Sequence, residues 1–388
     1  MSKKLLILLC ILIILIFSGG CFPETAPTGI SDSETPPVQV AEADEPPDIA
    51  PEDRTLRIAA VGDIMMHDSM IQAGRQPSGG YDFSSFFAAA APYLKEADLL
   101  IGNLETPLAG AHFGYSGYPR FNTPEILAEN LGAAGFDVLL TANNHCMDQG
   151  YTGLINTLDV LDAAGLAHTG TFRSQDERDQ ILMFSIKGVH IAVLAYTYGS
   201  NGLLPPKGKS FSVNFIDTQT ILSDIKRAHY VDKAELIIVG LHFGTEYELD
   251  PNKDQQQLVQ QIFAAGADIV LGSHPHVLQP MSSENDRFVI YSLGNFISDQ
   301  RGMERLSSVI LQLSYSLETT GEKPVLEDIG LVPIRTRRFK SNGMNSFEVL
   351  PILPALEDAS AGSSIYSEEE IAALKESLDF IDQQLGGD

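Results

Sequence analysis

Short apolar runs recur along residues 56–296: LRIAAVGDI, ADLLIGNLE, FDVLLTANNH, VHIAVLAYT, AELIIVGLHFG, ADIVLGSHPH and RFVIYSLGNF. Each is rich in β-branched or aliphatic residues and closes in glycine or polar residues, the pattern of a strand buried on both faces. Helix-like stretches at 123–135, 151–165, 217–229 and 253–266 lie between several of them. Strands alternating with helices predict an α/β fold with a sheet covered on both faces. In open sheets of this kind ligands bind beyond the carboxyl ends of the strands.

That is where the polar residues of this chain collect. In order they are Asp63 in VGDIMMHD, Asn103 and Glu105 in IGNLET, and Asn143, Asn144 and His145 in TANNHCMD. They continue with His242 and Glu246 in LHFGTEY, His274 and His276 in GSHPHV, and Asn295 in SLGNF. One such residue says little, because Asp and Asn suit turns and an isolated histidine is more often structural. Consecutive strand ends offering Asp, Glu, Asn and His point to a metal site. Imidazole and carboxylate without thiolate suit divalent Zn, Mn or Fe. Pro275 cannot donate to a sheet ladder and favours an extended residue before it. The strand is therefore expected to stop near Gly272, with His274 extended. On the loop beyond, both histidines can converge on one metal or two adjacent ones. His112, His168, His190 and His229 fall outside these motifs and are read as surface or structural residues, and a loop role suits His67.

The ends of the chain have a different character. Lys3 and Lys4 precede LLILLCILIILIF and then SGGC. The run is shorter than the roughly 20 residues of a membrane-spanning helix, and it closes in small residues as a secretory signal does. SGGC resembles a bacterial lipobox, so residues 1–21 are expected to be a lipoprotein-type signal peptide with Cys21 lipidated; an ordinary signal peptide or uncleaved anchor is the alternative. Residues 22–54, rich in Pro, Glu, Asp and Ser, read as a disordered tether, and 55–355 as the domain. Residues 356–388 read as an acidic C-terminal helix or tail, either docked or loose. The expected location is the cell membrane, lipid-anchored on its extracytoplasmic face. A net charge of −26 argues against a nucleic-acid partner. Three cysteines, of which Cys10 would leave with the signal and Cys21 carry lipid, exclude a disulfide framework.

VGDIM, GNLETPL, TANNHCMDQG, LHFGTEY, GSHPHVLQP and YSLGNF, in this order over roughly residues 56–300, resemble the CapA family of poly-γ-glutamate capsule biosynthesis proteins. That family is similar in turn to calcineurin-like metallophosphoesterases. The resemblance implies a metallophosphoesterase-like sandwich of two mixed β-sheets flanked by helices. It implies metal ligands at Asp63, Glu105, Asn144, His242, His274 and His276 for two divalent ions, with His145 as general acid or electrostatic stabiliser. Asn103, Asn143, Glu246, Arg120 and Asn295 are candidates for substrate contact or for support of the ligands. Ile64 and Met65 stand where the phosphoesterases carry the rest of an Asp-x-His motif, and Glu105 where they carry an Asp. The function expected is a metal-dependent hydrolase acting on a phosphoester or an anionic polymer such as poly-γ-glutamate. The alternative is a non-catalytic subunit of a membrane polymer synthesis or export complex that binds the polymer. No phosphate-cradling Gly-rich Lys loop is present, so polymer synthesis by this chain alone is not expected.

Overall fold

The computed structural model describes residues 54–317, 323–341 and 343–386, all within one unit spanning Ile49–Asp388. The expected signal peptide, Cys21 and the tether up to residue 53 lie outside the described residues. Strand β1 (Thr55–Ile64) shows how an unbroken apolar run becomes a layer. Successive side chains of a strand point to opposite faces. Leu56, Ile58 and Ala60 enter one core cluster, while Ala59 and Val61 enter another.

Parallel to β1 lie β2 (Leu99–Leu104), β3 (Val138–Leu140) and β4 (Ala167–Thr169), in that order. The chain then builds a second, six-stranded sheet from β5 (Leu182–Ile186), β6 (Val189–Thr197), β7 (Leu236–His242), β8 (Ile269–Ser273), β9 (Leu278–Glu284) and β10 (Arg287–Leu293). Its order is β5-β6-β7-β8-β10-β9, with β6, β7, β8 and β10 parallel and the two edge strands antiparallel to their neighbours. The chain returns to the first sheet through β11 (Asn295–Ile297), which pairs parallel to β1. There β12 (Ser307–Ser316), β13 (Val325–Ser341) and β14 (Met344–Pro351) extend it antiparallel on the far side of β1. The expected sandwich of two mixed sheets flanked by helices is the observed architecture.

Residues from both sheets share the cluster between them, among them Ile58, Ile101 and Leu140 from the first and Val193, Ile238 and Ile290 from the second. Helices Ile126–Ala134 and Gly150–Ala163 place Leu127, Leu131 and Leu161 with Leu100 and Leu139 on the outer side of the first sheet. Helices Thr218–Tyr230 and Lys253–Ala265 do the same for the second, through Ile221, Ile225 and Ile262 against Ile237 and Val239. Two glycines permit the close approaches at the strand ends. A Cβ on Gly62 would stand 1.9 Å from the Gly294 carbonyl oxygen, and one on Gly272 would stand 1.9 Å from that of Tyr291. Each lies within two residues of a candidate ligand, Asp63 or His274.

The C-terminal stretch is helical and packed. Helix Ile352–Ser360 runs across residue 355, and Glu368–Leu385 begins at a capping box formed by Ser367 and Glu370. The latter helix adds Leu374, Phe380, Ile381 and Leu385 to the cluster between the sheets. No described helix is long and apolar enough to cross a membrane. Because Ile381 is buried in that cluster, Ile381→Ala is expected to cost about 2–5 kcal/mol in urea denaturation. A loss near zero would mean that the helix contributes little to the core.

Candidate metal centre

Strand register brings the polar residues together. On the first sheet Asp63 is the pairing partner of Asn103 in β2 and of Asn295 in β11. On the second, Thr197, His242 and Ser273 stand abreast on β6, β7 and β8. Asp63 is fully buried; its Oδ1 accepts from Asn103 Nδ2 at 2.7 Å, and its Oδ2 lies 3.0 Å from His276 Nδ1. Glu105, just past β2, is also fully buried, and neither of its carboxylate oxygens has a hydrogen-bond partner. His242 Nε2 and His276 Nε2 lie 3.7 and 3.8 Å from Glu105 Oε1. Burial, then the negative charges of Asp63 and Glu246, push the Glu105 carboxyl well above the usual range. Burial and the neighbouring imidazoles hold His242 well below the usual histidine value and bring His274 to about 4.

A divalent cation fits these residues. Ligand atoms of Asp63, Glu105 and His242 lie within 4.8 Å of one another, as do those of Glu246, His274 and His276. The orphaned oxygens of Glu105 and the buried, unpartnered Nδ1 of His274 are groups that a cation would satisfy. All donors are imidazole or carboxylate, and the imidazoles whose values are shifted are held neutral, the form that ligates. His276 Nδ1 meets Asp63 Oδ2 and, at 3.1 Å, Asn295 Oδ1, an orientation that leaves Nε2 for ligation. Glu246, expected only as a supporting or substrate contact, falls within the second ligand group.

The GSHPHV loop differs from its expected conformation. The strand runs to Ser273, and His274 takes φ +97° and His276 φ +59°, in place of the extended His274 that Pro275 was expected to enforce. The loop is tied down instead: Phe243 N–H donates to Ser273 O at 3.0 Å and Tyr247 N–H to Pro275 O at 2.8 Å. Such contacts hold a backbone that would otherwise cost about 1–3 kcal/mol per residue.

The TANNHCMD loop supplies a dyad. His145 Nδ1 lies 2.7 Å from Asp148 Oδ2, which also accepts the Phe121 N–H at 2.7 Å. The Phe121 ring meets His145 edge-on at 4.7 Å. Asn144 Oδ1 lies 3.1 Å from His242 Nε2, joining this loop to the ligand groups. Asn143 is occupied structurally, donating to Leu104 O at 2.7 Å and accepting from His145 N–H at 3.2 Å. Asn295 Nδ2 faces His276 O, Gln300 Oε1 and Arg305 O, so it braces the ligand loop. Asn103 braces Asp63, with His242 Nδ1 at 3.3 Å. Arg120 stands apart from both ligand groups, exposed on an open cavity of about 550 Å³ that Asp148 and Tyr151 also line. Cys146 is buried with its thiol pushed up to about 12, as suits a structural residue.

Sequence reasoning passed over three residues. Asp148 has a recoverable signal, since it follows His145 by three positions in a turn. Ser273, whose Oγ lies 2.9 Å from His242 Nδ1, and Tyr198, whose ring sits 4.4 Å from that of His274, have none.

Residues 57–300 match the family described as bacterial capsule synthesis protein PGA_cap. The chain is 32% identical over 276 residues to the PGA biosynthesis protein CapA of Bacillus subtilis (strain 168), with 69% of this chain and 70% of that protein covered. It is 31% identical over 277 residues to the capsule biosynthesis protein CapA of Bacillus anthracis, with 70% and 66% covered. Among solved structures it is similar to the calcineurin-like phosphoesterase YfkN from Bacillus subtilis, at 14% identity and a TM-score of 0.44, with 85% of this chain and 97% of that one covered.

His67 carries a separable pH signature. The Asp299 N–H donates to its Nδ1 at 3.2 Å, and burial, against the opposing charge of Asp299, lowers it to about 4. A histidine neutral when folded but protonated when unfolded loses stability as pH falls from about 6.5 toward 4. Glu105, with a raised value, acts in the opposite sense, so the comparison must be made against a variant. His67→Gln is expected to lose about 1–2 kcal/mol less than wild type between pH 7.5 and 4.5, read from urea midpoints of metal-free protein. Parallel pH profiles would show that His67 is not held neutral.

Proposed function

The chain belongs to the bacterial capsule synthesis protein family PGA_cap, and from that membership we propose that it is a metal-dependent hydrolase acting on a phosphoester or on an anionic polymer such as poly-γ-glutamate. It would work on the extracytoplasmic face of the cell membrane, held by lipid on Cys21, beside the subunits that make or export the polymer. The observation that carries the catalytic part is Glu105: a buried carboxylate with no hydrogen-bond donor, set among histidines that offer two neighbouring groups of ligand atoms.

Asp63, Glu105 and His242 would hold one ion, and Glu246, His274 and His276 a second. Asn144 can add a neutral carbonyl oxygen, which leaves the site electropositive toward an anionic substrate. Divalent ions there would polarise a phosphoryl or carbonyl oxygen and lower the pKa of water to about 7. The chain's own proton chemistry resides in His145. With Nδ1–H donated to Asp148, the tautomer is fixed and the other ring nitrogen is free to hold or deliver a proton to a leaving oxygen. Buried Asp148 stabilises the ring when it is positively charged. Phe121 limits its rotation.

Elemental analysis of the purified chain is expected to find about two divalent metals per molecule, reduced to about one when His274→Ala and His276→Ala are combined. Turnover of a generic phosphodiester or monoester with added manganese should accompany the metal. His145→Ala should lower that turnover about 10²–10⁴-fold with metal content unchanged. Metal without turnover would favour a subunit that binds the polymer without cutting it, and absence of metal would sink the hydrolase reading.

A further inference from the structure

Tyr198 straddles the two ligand groups. It follows the last residue of β6, and its N–H donates to His242 O at 3.0 Å, so its backbone is fixed to the strand that carries that ligand. The ring centre lies 4.4 Å from that of His274 and 6.2 Å from that of His242, one imidazole from each ligand group. The hydroxyl has the same intermediate position: Glu105 of the first group and Glu246 of the second both act on it electrostatically. Because Tyr198 is 49% exposed, it is also open to a molecule entering from solvent.

Few side-chain donors near the ligand groups remain for the oxygens of a substrate. Asn103 Nδ2 donates to Asp63, Asn143 Nδ2 donates to Leu104 O, and Asn295 Nδ2 faces the oxygens of His276, Gln300 and Arg305. No lysine or arginine among the described residues forms an ion pair with Asp63, Glu105 or Glu246. Tyr198 is different. The Asn144 amide donates to its phenol oxygen, which leaves the phenol hydrogen for another acceptor. Burial raises the phenol above the usual tyrosine value, so that hydrogen stays in place at neutral pH. We propose that Tyr198 is a further catalytic residue, its O–H donating to the phosphoryl or carbonyl oxygen on which negative charge builds. This rests on the hydrolase reading above. The proton remains on Tyr198 throughout, and only the hydrogen bond strengthens as the charge develops. A fixed donor of this kind lowers the barrier more than it tightens binding of the unreacted substrate.

The test is Tyr198→Phe, which keeps the ring against His274 and removes only the hydroxyl. Elemental analysis should find its metal content equal to that of wild type. Calorimetric titration of the manganese-loaded full chain with orthovanadate, an oxyanion that mimics the reacting phosphoryl group, should show binding weakened by about tenfold or more. On a generic phosphodiester or monoester that wild type hydrolyses, kcat should fall about 10²–10³-fold with KM little changed. A variant that holds less metal would make Tyr198 a support for the ligands and overturn the proposal. Equal vanadate affinity, a wild type that holds metal but no vanadate, or a raised KM with kcat intact would also overturn it, and each leaves the hydrolase reading standing where wild type turns over the ester. If metal is present without turnover, the two vanadate affinities decide alone. A metal-free wild type overturns the hydrolase reading and this proposal with it.

Discussion

Two carboxylates, Asp63 and Glu105, are buried completely near one another, and no lysine or arginine among the described residues forms an ion pair with either. An ionised carboxylate in a dry interior is costly unless paired or hydrogen-bonded. Asp63 has Asn103 and His276 to stabilise it. Glu105 has no donor, so it must either take a proton, as its raised value indicates, or share a cation. The sandwich makes the second option geometrically available. The carboxylates stand at the ends of the first sheet and the imidazoles at the ends of the second, so only two sheets packed face to face, with their parallel strands ending on the same side, bring both kinds of donor to one point.

What the sequence disclosed depends on how each strand is buried. Strands β1, β2, β6, β7 and β8 are covered on both faces, and they stand out as continuous apolar runs. Strands β5 and β13 do not. Their burial alternates irregularly with exposure, because they lie at or near sheet edges where one face meets solvent, and no clean period survives. Strand β11 was hidden inside RFVIYSLGNF, where Gly294 at φ +64° turns the chain from the second sheet back to the first. That turn decides the site, since it sets Asn295 beside Asp63 and under His276.

The candidate ligands stood out because they lie at or just beyond strand ends, where ligands bind in such folds. Their grouping did not. Glu246 and His276 are distant in sequence from one another and belong to loops whose backbone follows no propensity: His274, His276 and Tyr247 all take positive φ. Proline at 275 predicted extension before it, and tertiary contact overrode that preference. The hydrogen bonds from Phe243 and Tyr247 to the 273–275 backbone fix the two loops to each other, and the Arg305 guanidinium lies 4.6 Å from the centre of the Tyr247 ring. No local rule anticipates a conformation that exists only because two loops meet.

The two ligand groups are unequal in a way that bears on substrate. Asp63, Glu105 and His242 are all buried, whereas Glu246 in the second group is exposed. The first group is dry and already assembled, and the second forms the edge of the site toward solvent, flanked by Tyr198 at 49% exposure and Tyr247 at 45%. Under the proposed function, an anionic substrate arriving from that side would meet the Glu246 carboxylate first and be repelled by it. Its charge would stop opposing such a substrate if a cation shared with His274 and His276 took it up. On that reading the outer group would couple cation binding to substrate binding as well as to the chemistry.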